Sequence, residues 1–154
     1  MSGKFDARHP LVGLLDELIR VNGRLKAIFV GARRDEGLTD SEMAVLNAVV
    51  EADRPPTVPQ IGRSFGQPRQ IVQRAAASLI TQGLIEARPN PDHKRAVLLV
   101  PTEAGTALKR EIDGRADAIA AEIGTAVDHD NIRAATMALR CASSSKRNCA
   151  RFEG

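Results

Sequence analysis

Apolar residues recur at intervals of three and four from about His9 to Ala32: Leu11, Leu14, Leu15, Leu18, Ile19, Val21, Leu25, Ile28 and Phe29. That period predicts one long amphipathic helix, with Pro10 in its first turn. It should stop near Gly31, before the charged stretch RRDEG. The same period returns in LTDSEMAVLNAVVEAD, where Met43, Leu46, Val49 and Val50 form the expected buried face. Thr39 and Glu42 have the spacing of a capping box, and Pro55 and Pro56 end the helix. Thr57 then opens a short helix, VPQIGRSFG, closed by Gly66. A further helix is predicted from about Pro68 to Gln82, with Gly83 at its C-terminus. At roughly 100° per residue, Ile71, Val72, Ala75, Ala76 and Leu79 fall on one arc. Arg69, Gln70, Gln73, Arg74 and Thr81 fall on the other.

The period then changes. Two apolar strands, near Leu84 to Arg88 and Ala96 to Val100, flank PNPDHK, whose Pro and Asn mark a turn. This is a hairpin carrying His93, Lys94 and Arg95 at its tip. Helical spacing resumes from Thr102 and Glu103 to about Val127, and again from about Asn131 to Cys141 or somewhat beyond, with Asp128 as cap. The tail CASSSKRNCARFEG loses the period, and fraying is expected beyond Ser143.

Charge sharpens this picture. The chain of 154 residues carries a net charge of only +3. Between Asp53 and Glu86 there is no acid, while Arg54, Arg63, Arg69 and Arg74 lie inside. From Arg54 to Pro101, seven basic residues stand against two acids, a balance of +5, which leaves −2 for the rest. A basic middle between mildly acidic ends suits a polyanion. Helix, short helix, polar-faced helix and basic hairpin form, in that order, a winged helix-turn-helix. In such a module the N-terminal residues of the recognition helix reach base edges in the major groove. Arg can fork onto guanine and Gln onto adenine. The candidate DNA-binding residues are therefore Arg69, Gln70, Gln73 and Arg74 on the helix, and His93, Lys94 and Arg95 on the wing. Arg63 and Gln67 lie beside the turn. Which of these touch bases and which hold phosphates is left open.

The run from LTDSEMAVLNAVV through GLIEARPNPDHKRAVLLVPTEAG resembles the MarR family of bacterial transcription regulators. The carriers are Leu38 and Thr39, the QGLIEAR turn into the wing, and T-x-x-G at Thr102 to Gly105. The resemblance covers about His9 to Cys141. It implies a mainly α fold with a small β-hairpin wing, in one domain over 1–154. Residues 38–101 would be the DNA-binding lobe, and 9–32 and 102–147 the dimerisation helices. The family's wing reads D-x-R, with its Arg in the minor groove. Here His93 takes the acidic position and Arg95 the Arg position, so the usual Asp–Arg bracing is not expected. The resemblance further implies a homodimer on palindromic double-stranded DNA, a repressor, released by a small aromatic or phenolic molecule. An apolar pocket for it is expected near Leu14, Leu18, Met43 and Leu46.

Other functions fare worse. Three scattered His (His9, His93 and His129) and no nucleophile–base pair argue against an enzyme. No cofactor or metal is expected, since Cys141 and Cys149 match no common zinc spacing. Two alternatives are a winged-helix protein-interaction module and an oxidant sensor using Cys141 and Cys149. The polar start MSGKFDARHP lacks the apolar stretch of a signal peptide, and no run of about 18 apolar residues exists to span a membrane. A cytoplasmic location is expected.

Overall fold

A computed structural model describes residues 9–33, 37–124 and 128–144. The order is α1 (Pro10–Ile28), α2 (Val30–Arg33), α3 (Asp40–Val50), α4 (Val58–Phe65), α5 (Arg69–Thr81), β1 (Ile85–Arg88), β2 (Leu98–Pro101), α6 (Glu103–Ile123) and α7 (His129–Ser144). The chain falls into two compact units, Met1–Ala116 and Asp117–Gly154. No helix among the described residues is long and apolar enough to cross a membrane.

The core of the first unit is built where α3, α4 and α5 meet the hairpin. Val45, Leu46 and Val49 of α3 pack with Val58 and Ile61 of α4, Val72, Ala75, Ala76 and Leu79 of α5, Ile85 of β1 and Leu99 of β2. Small Ala75 and Ala76 let α5 lie close to its neighbours. Val45 belongs to the core beside the three residues the period selected, whereas Val50 is only half-buried. Ile71 departs from expectation more sharply: it is 42% exposed.

The caps form as the sequence specifies. Thr39 Oγ1 accepts from the Glu42 backbone N–H at 3.2 Å, and Glu42 Oε2 accepts from the Thr39 N–H at 2.7 Å. Gln60 Oε1 accepts from the Thr57 backbone N–H and hydroxyl at 2.8 and 3.0 Å, which holds the start of α4. Gly66 ends that helix at φ +61°, a left-handed backbone that favours glycine. After α5 the Gly83 N–H bonds the Ile80 carbonyl and the Leu84 N–H bonds the Leu79 carbonyl, both at 2.9 Å, a Schellman closure. Asp128 Oδ1 accepts from the N–H groups of Asp130 and Asn131 at the start of α7.

The hairpin is antiparallel, with Ile85 opposite Pro101 and Arg88 opposite Leu98. The second strand begins two residues later than the sequence suggests. The Ala96 N–H turns back to the His93 carbonyl at 3.1 Å, so this backbone serves the tip rather than the ladder. The Leu99 N–H bonds the Pro56 carbonyl at 2.8 Å and ties β2 to the approach of α4. The Thr102 hydroxyl donates to the carbonyls of Gly83 and Leu84, and the Thr102 N–H also reaches Leu84 O at 3.1 Å. Gly105, whose N–H bonds Thr102 Oγ1, sits against that same carbonyl: a Cβ there would lie 1.9 Å from Leu84 O. T-x-x-G is thus the joint between wing and α6.

The long first helix is interrupted. It ends at Ile28, Phe29 adopts φ −87° and ψ 6°, and α2 restarts through Gly31. Beyond the break, Phe29 and the buried Ala32 line one cavity with Met43. Along α1 no residue is buried, and Leu11, Leu14, Leu15, Leu18, Ile19 and Val21 are all exposed.

In the second unit, α7 exposes Ile132, Met137 and Leu139, and Cys141 is exposed as well. The expected end of the preceding helix near Val127, the fraying after Ser143 and Cys149 lie outside the described residues, except that α7 itself reaches Ser144.

Candidate nucleic-acid interface

Pro68, at the N-cap of α5, has no side-chain acceptor, so the first turn keeps its positive dipole end uncapped. Negative charge is favoured there, phosphate included. The next two turns place Arg69, Gln70, Gln73 and Arg74 in the open, opposite Val72, Ala75, Ala76 and Leu79. None of the four polar side chains makes a hydrogen bond or ion pair within the described chain. The turn before α5 gathers further basic groups. Pro59, Gly62, Arg63, Gly66, Gln67 and Arg69 line a depression of about 400 Å³. Arg63 and Arg69 thus share one hollow across the helix-turn-helix corner, with half-buried Gln67 between them in sequence.

The wing tip spans Pro89 to Val97. Asn90 Oδ1 accepts from the Asp92 N–H at 3.0 Å, a local turn that Asn is built to make. His93, Lys94 and Arg95 are exposed, and their side chains are unpaired within the described chain. Asp92 and Arg95 form no ion pair, in keeping with the shifted acidic position. On the strand just before the tip the situation differs: Arg88 Nε donates to Glu86 Oε1 at 2.7 Å. Arg88 is neutralised by the chain, and the cations of the tip are not.

One buried acid reaches from α3 toward α5. Glu42 is 8% exposed, and besides capping α3 it lies beside Ser78 of α5 and accepts from Gln82 Nε2 at 3.5 Å. Its polar neighbours, Ser78 first and then the Thr39 backbone, hold its carboxyl below the usual carboxylate range against the opposing effect of burial. The capping box was legible in the sequence; its reach to α5 was not, because a cap signal says nothing about the second oxygen.

A cavity of about 340 Å³ is lined by Asn22, Leu25, Lys26, Phe29, Ala32, Met43, Asn47, Ile112, Asp113 and Ala116. Of the residues expected to line a pocket, only Met43 does; Leu14, Leu18 and Leu46 do not. The end of α1, together with Ala32 of α2, lines it rather than the middle of α1. The cavity is also more polar than expected. Asn47 Oδ1 is buried without a partner. Lys26 Nζ pairs with Asp40 at 2.8 Å. Asp113 pairs with Lys109, which is 6% exposed and also meets Glu51 at 3.0 Å. Burial alone would lower the Lys109 pKa; its bonds to Asp113 and Glu51 outweigh that and leave it raised. The signal that was missed is Asn47, a polar residue four positions after Met43 in an otherwise apolar face.

Comparison with known proteins gives the arrangement a setting. The model of the MarR family matches residues 36–96. An uncharacterized protein of Mycobacterium tuberculosis is 40% identical over 123 residues, covering 80% of each chain. A transcriptional regulator of the MarR family from Rhodococcus has the same fold, with a TM-score of 0.75 at 18% identity, covering 89% of this chain and 96% of that one. BpsR of Bordetella bronchiseptica, whose DNA binding is regulated by 6-hydroxynicotinic acid, superposes with a TM-score of 0.67 at 25% identity, covering 86% and 98%.

Proposed function

This chain belongs to the MarR family of DNA-binding transcription regulators, and from that premise we propose that it is a homodimeric repressor of a palindromic operator, released by a small aromatic ligand. The observation that carries this reading is the unpaired set Arg69, Gln70, Gln73, Arg74, Lys94 and Arg95 on one helix and one hairpin tip. Charges and amides left without partners by the chain are suited to phosphates and base edges. Arg63, Gln67 and His93 flank them and contact the backbone. Dimerisation follows from the exposed leucines of α1 and the apolar residues of α7, which need a cover. A twofold partner supplies it and sets two recognition helices in successive major grooves, about 34–36 Å apart.

The ligand enters the cavity bounded by Phe29, Met43 and Ile112, whose apolar walls accept a flat ring and whose Asn47, Lys26 and Asp113 orient its polar groups. BpsR, regulated by 6-hydroxynicotinic acid, offers a precedent for such a ligand on this fold. Its occupancy shifts the population away from the DNA-competent spacing.

Selection of bound DNA from a random pool at physiological salt tests the reading. A palindrome with half-sites one helical turn apart is expected, with affinity that falls steeply as salt rises. Binding without sequence preference, or a salt-insensitive complex with protein alone, would replace it with the protein-interaction alternative. A thermal shift with 6-hydroxynicotinic acid and related aromatic acids tests the ligand; no response to any of them would remove that part.

A further inference from the structure

Ile71 breaks the polar face of α5. Val72, Ala75, Ala76 and Leu79, its neighbours on the predicted buried arc, are at most 5% exposed, whereas Ile71 is 42% exposed. It lies instead with Arg74, Ala75 and Ser78 of its own helix and Thr39, Ser41 and Glu42 of α3, around a depression of about 350 Å³. Every other exposed side chain in the first two turns of α5 is Arg or Gln. A lone exposed aliphatic residue is ordinary on a protein surface, so exposure alone selects nothing. Position does. Ile71 is the third residue of α5, three before Arg74, hence beside Arg74 on the helix surface at the edge of the polar face. A β-branched residue there loses side-chain freedom that a longer straight chain would keep. Helix stability therefore does not account for it.

The major groove offers one apolar feature, the C5-methyl group of thymine. A recognition helix whose first turns reach base edges carries Ile71 to the same depth as Gln70 and Arg74. We infer that Ile71 is a specificity-determining residue that packs on a thymine methyl, beside the base pairs engaged by Gln70 and Arg74. This rests on the reading of α5 as the DNA-recognition helix. It adds an apolar contact to a face otherwise made of hydrogen-bonding groups, and it requires a T·A pair at one fixed position of each half-site.

The test uses the operator selected by the full-length wild-type chain. Each thymine is replaced in turn by deoxyuridine, which removes only the methyl group, and affinity is measured by fluorescence anisotropy for wild type, Ile71→Val and Ile71→Ala. At one thymine per half-site, wild type is expected to lose affinity about fourfold on replacement, the worth of one buried methyl group. Ile71→Val keeps part of that loss and Ile71→Ala shows none, while replacements elsewhere affect all three proteins alike. If wild type selects a site and no thymine distinguishes it from Ile71→Ala, the inference falls and the DNA reading stands. If wild type selects no sequence, both fall.

Discussion

Replacing Gly105 with alanine would add one methyl group at the tightest place in the fold. The new Cβ would lie 1.9 Å from the Leu84 carbonyl oxygen and 2.9 Å from its carbon, where ordinary contact begins near 3.4 Å. Neither atom is a side-chain end that can swing aside, so α6 and the root of β1 must separate by about 1.5 Å. Two bonds cross that gap, from the Thr102 N–H and hydroxyl to Leu84 O at 3.1 and 3.0 Å. Their loss costs about 1 kcal/mol each, and the displaced backbone adds about 1–3 kcal/mol of overpacking strain. Alanine returns at most about 1 kcal/mol of helix propensity. The net destabilisation is about 2–4 kcal/mol, a large share of the stability of a domain this size. Gly114 on the same helix is the control, because nothing lies within 4 Å of its added Cβ; Gly114→Ala should stabilise by about 0.5–1 kcal/mol. Urea unfolding followed by circular dichroism reads both, at equal protein concentration because association shifts apparent stability. A Gly105→Ala variant within about 0.5 kcal/mol of wild type would show that wing and α6 are not joined as described.

Further outcomes are expected. Arg69→Ala and Arg74→Ala each weaken specific DNA binding by roughly 1–3 kcal/mol, whereas Arg95→Ala weakens binding evenly across sequences and lowers the salt slope by about one; gel shifts on matched and scrambled DNA separate the two, and unchanged affinity in all three contradicts the assignment. Glu42 has a depressed pKa in the folded state, so the stability it contributes is present above about pH 4.5 and is lost as pH falls through the folded value. Glu42→Gln should therefore be less stable than wild type at neutral pH and the difference should shrink in acid, read from urea midpoints across that range. Leu15→Asp on exposed α1 should weaken dimerisation about 10- to 100-fold per substituted chain while leaving the lobe folded, as measured by sedimentation; a dimer of unchanged affinity would place the interface elsewhere.

The helix periods and caps made most of the winged helix-turn-helix legible in the sequence. Thr39, Glu42, Thr57, Gly66 and Gly83 act locally, within a few residues of where they stand, and local rules describe them well. What escaped depends on partners distant in sequence. Ile71 fits the apolar arc by angle, yet only the packing of α3 against α5 decides where that arc ends. The break at Phe29 is invisible to a period that counts Ile28 and Phe29 alike as apolar, and so is a cavity lined by the end of α1 and by Ala32. The late start of β2 comes from tip hydrogen bonds that compete with the ladder. At the interface the residue types and their spacing identified the candidates. Their lack of internal partners, which distinguishes Arg95 from Arg88, needed coordinates.

The fasteners of the lobe rest heavily on main-chain groups. Leu99 N–H bonds Pro56 O, Thr102 bonds Gly83 O and Leu84 O, and α5 closes through Gly83 and Leu84. Among the described residues, Arg69, Gln70, Gln73 and Arg74 take no part in any of them. Under the proposed function, folding and target choice are therefore written in different residues. After a gene duplication, one copy would change the DNA it prefers by substitutions at exposed positions of α5 while the frame stays as it is.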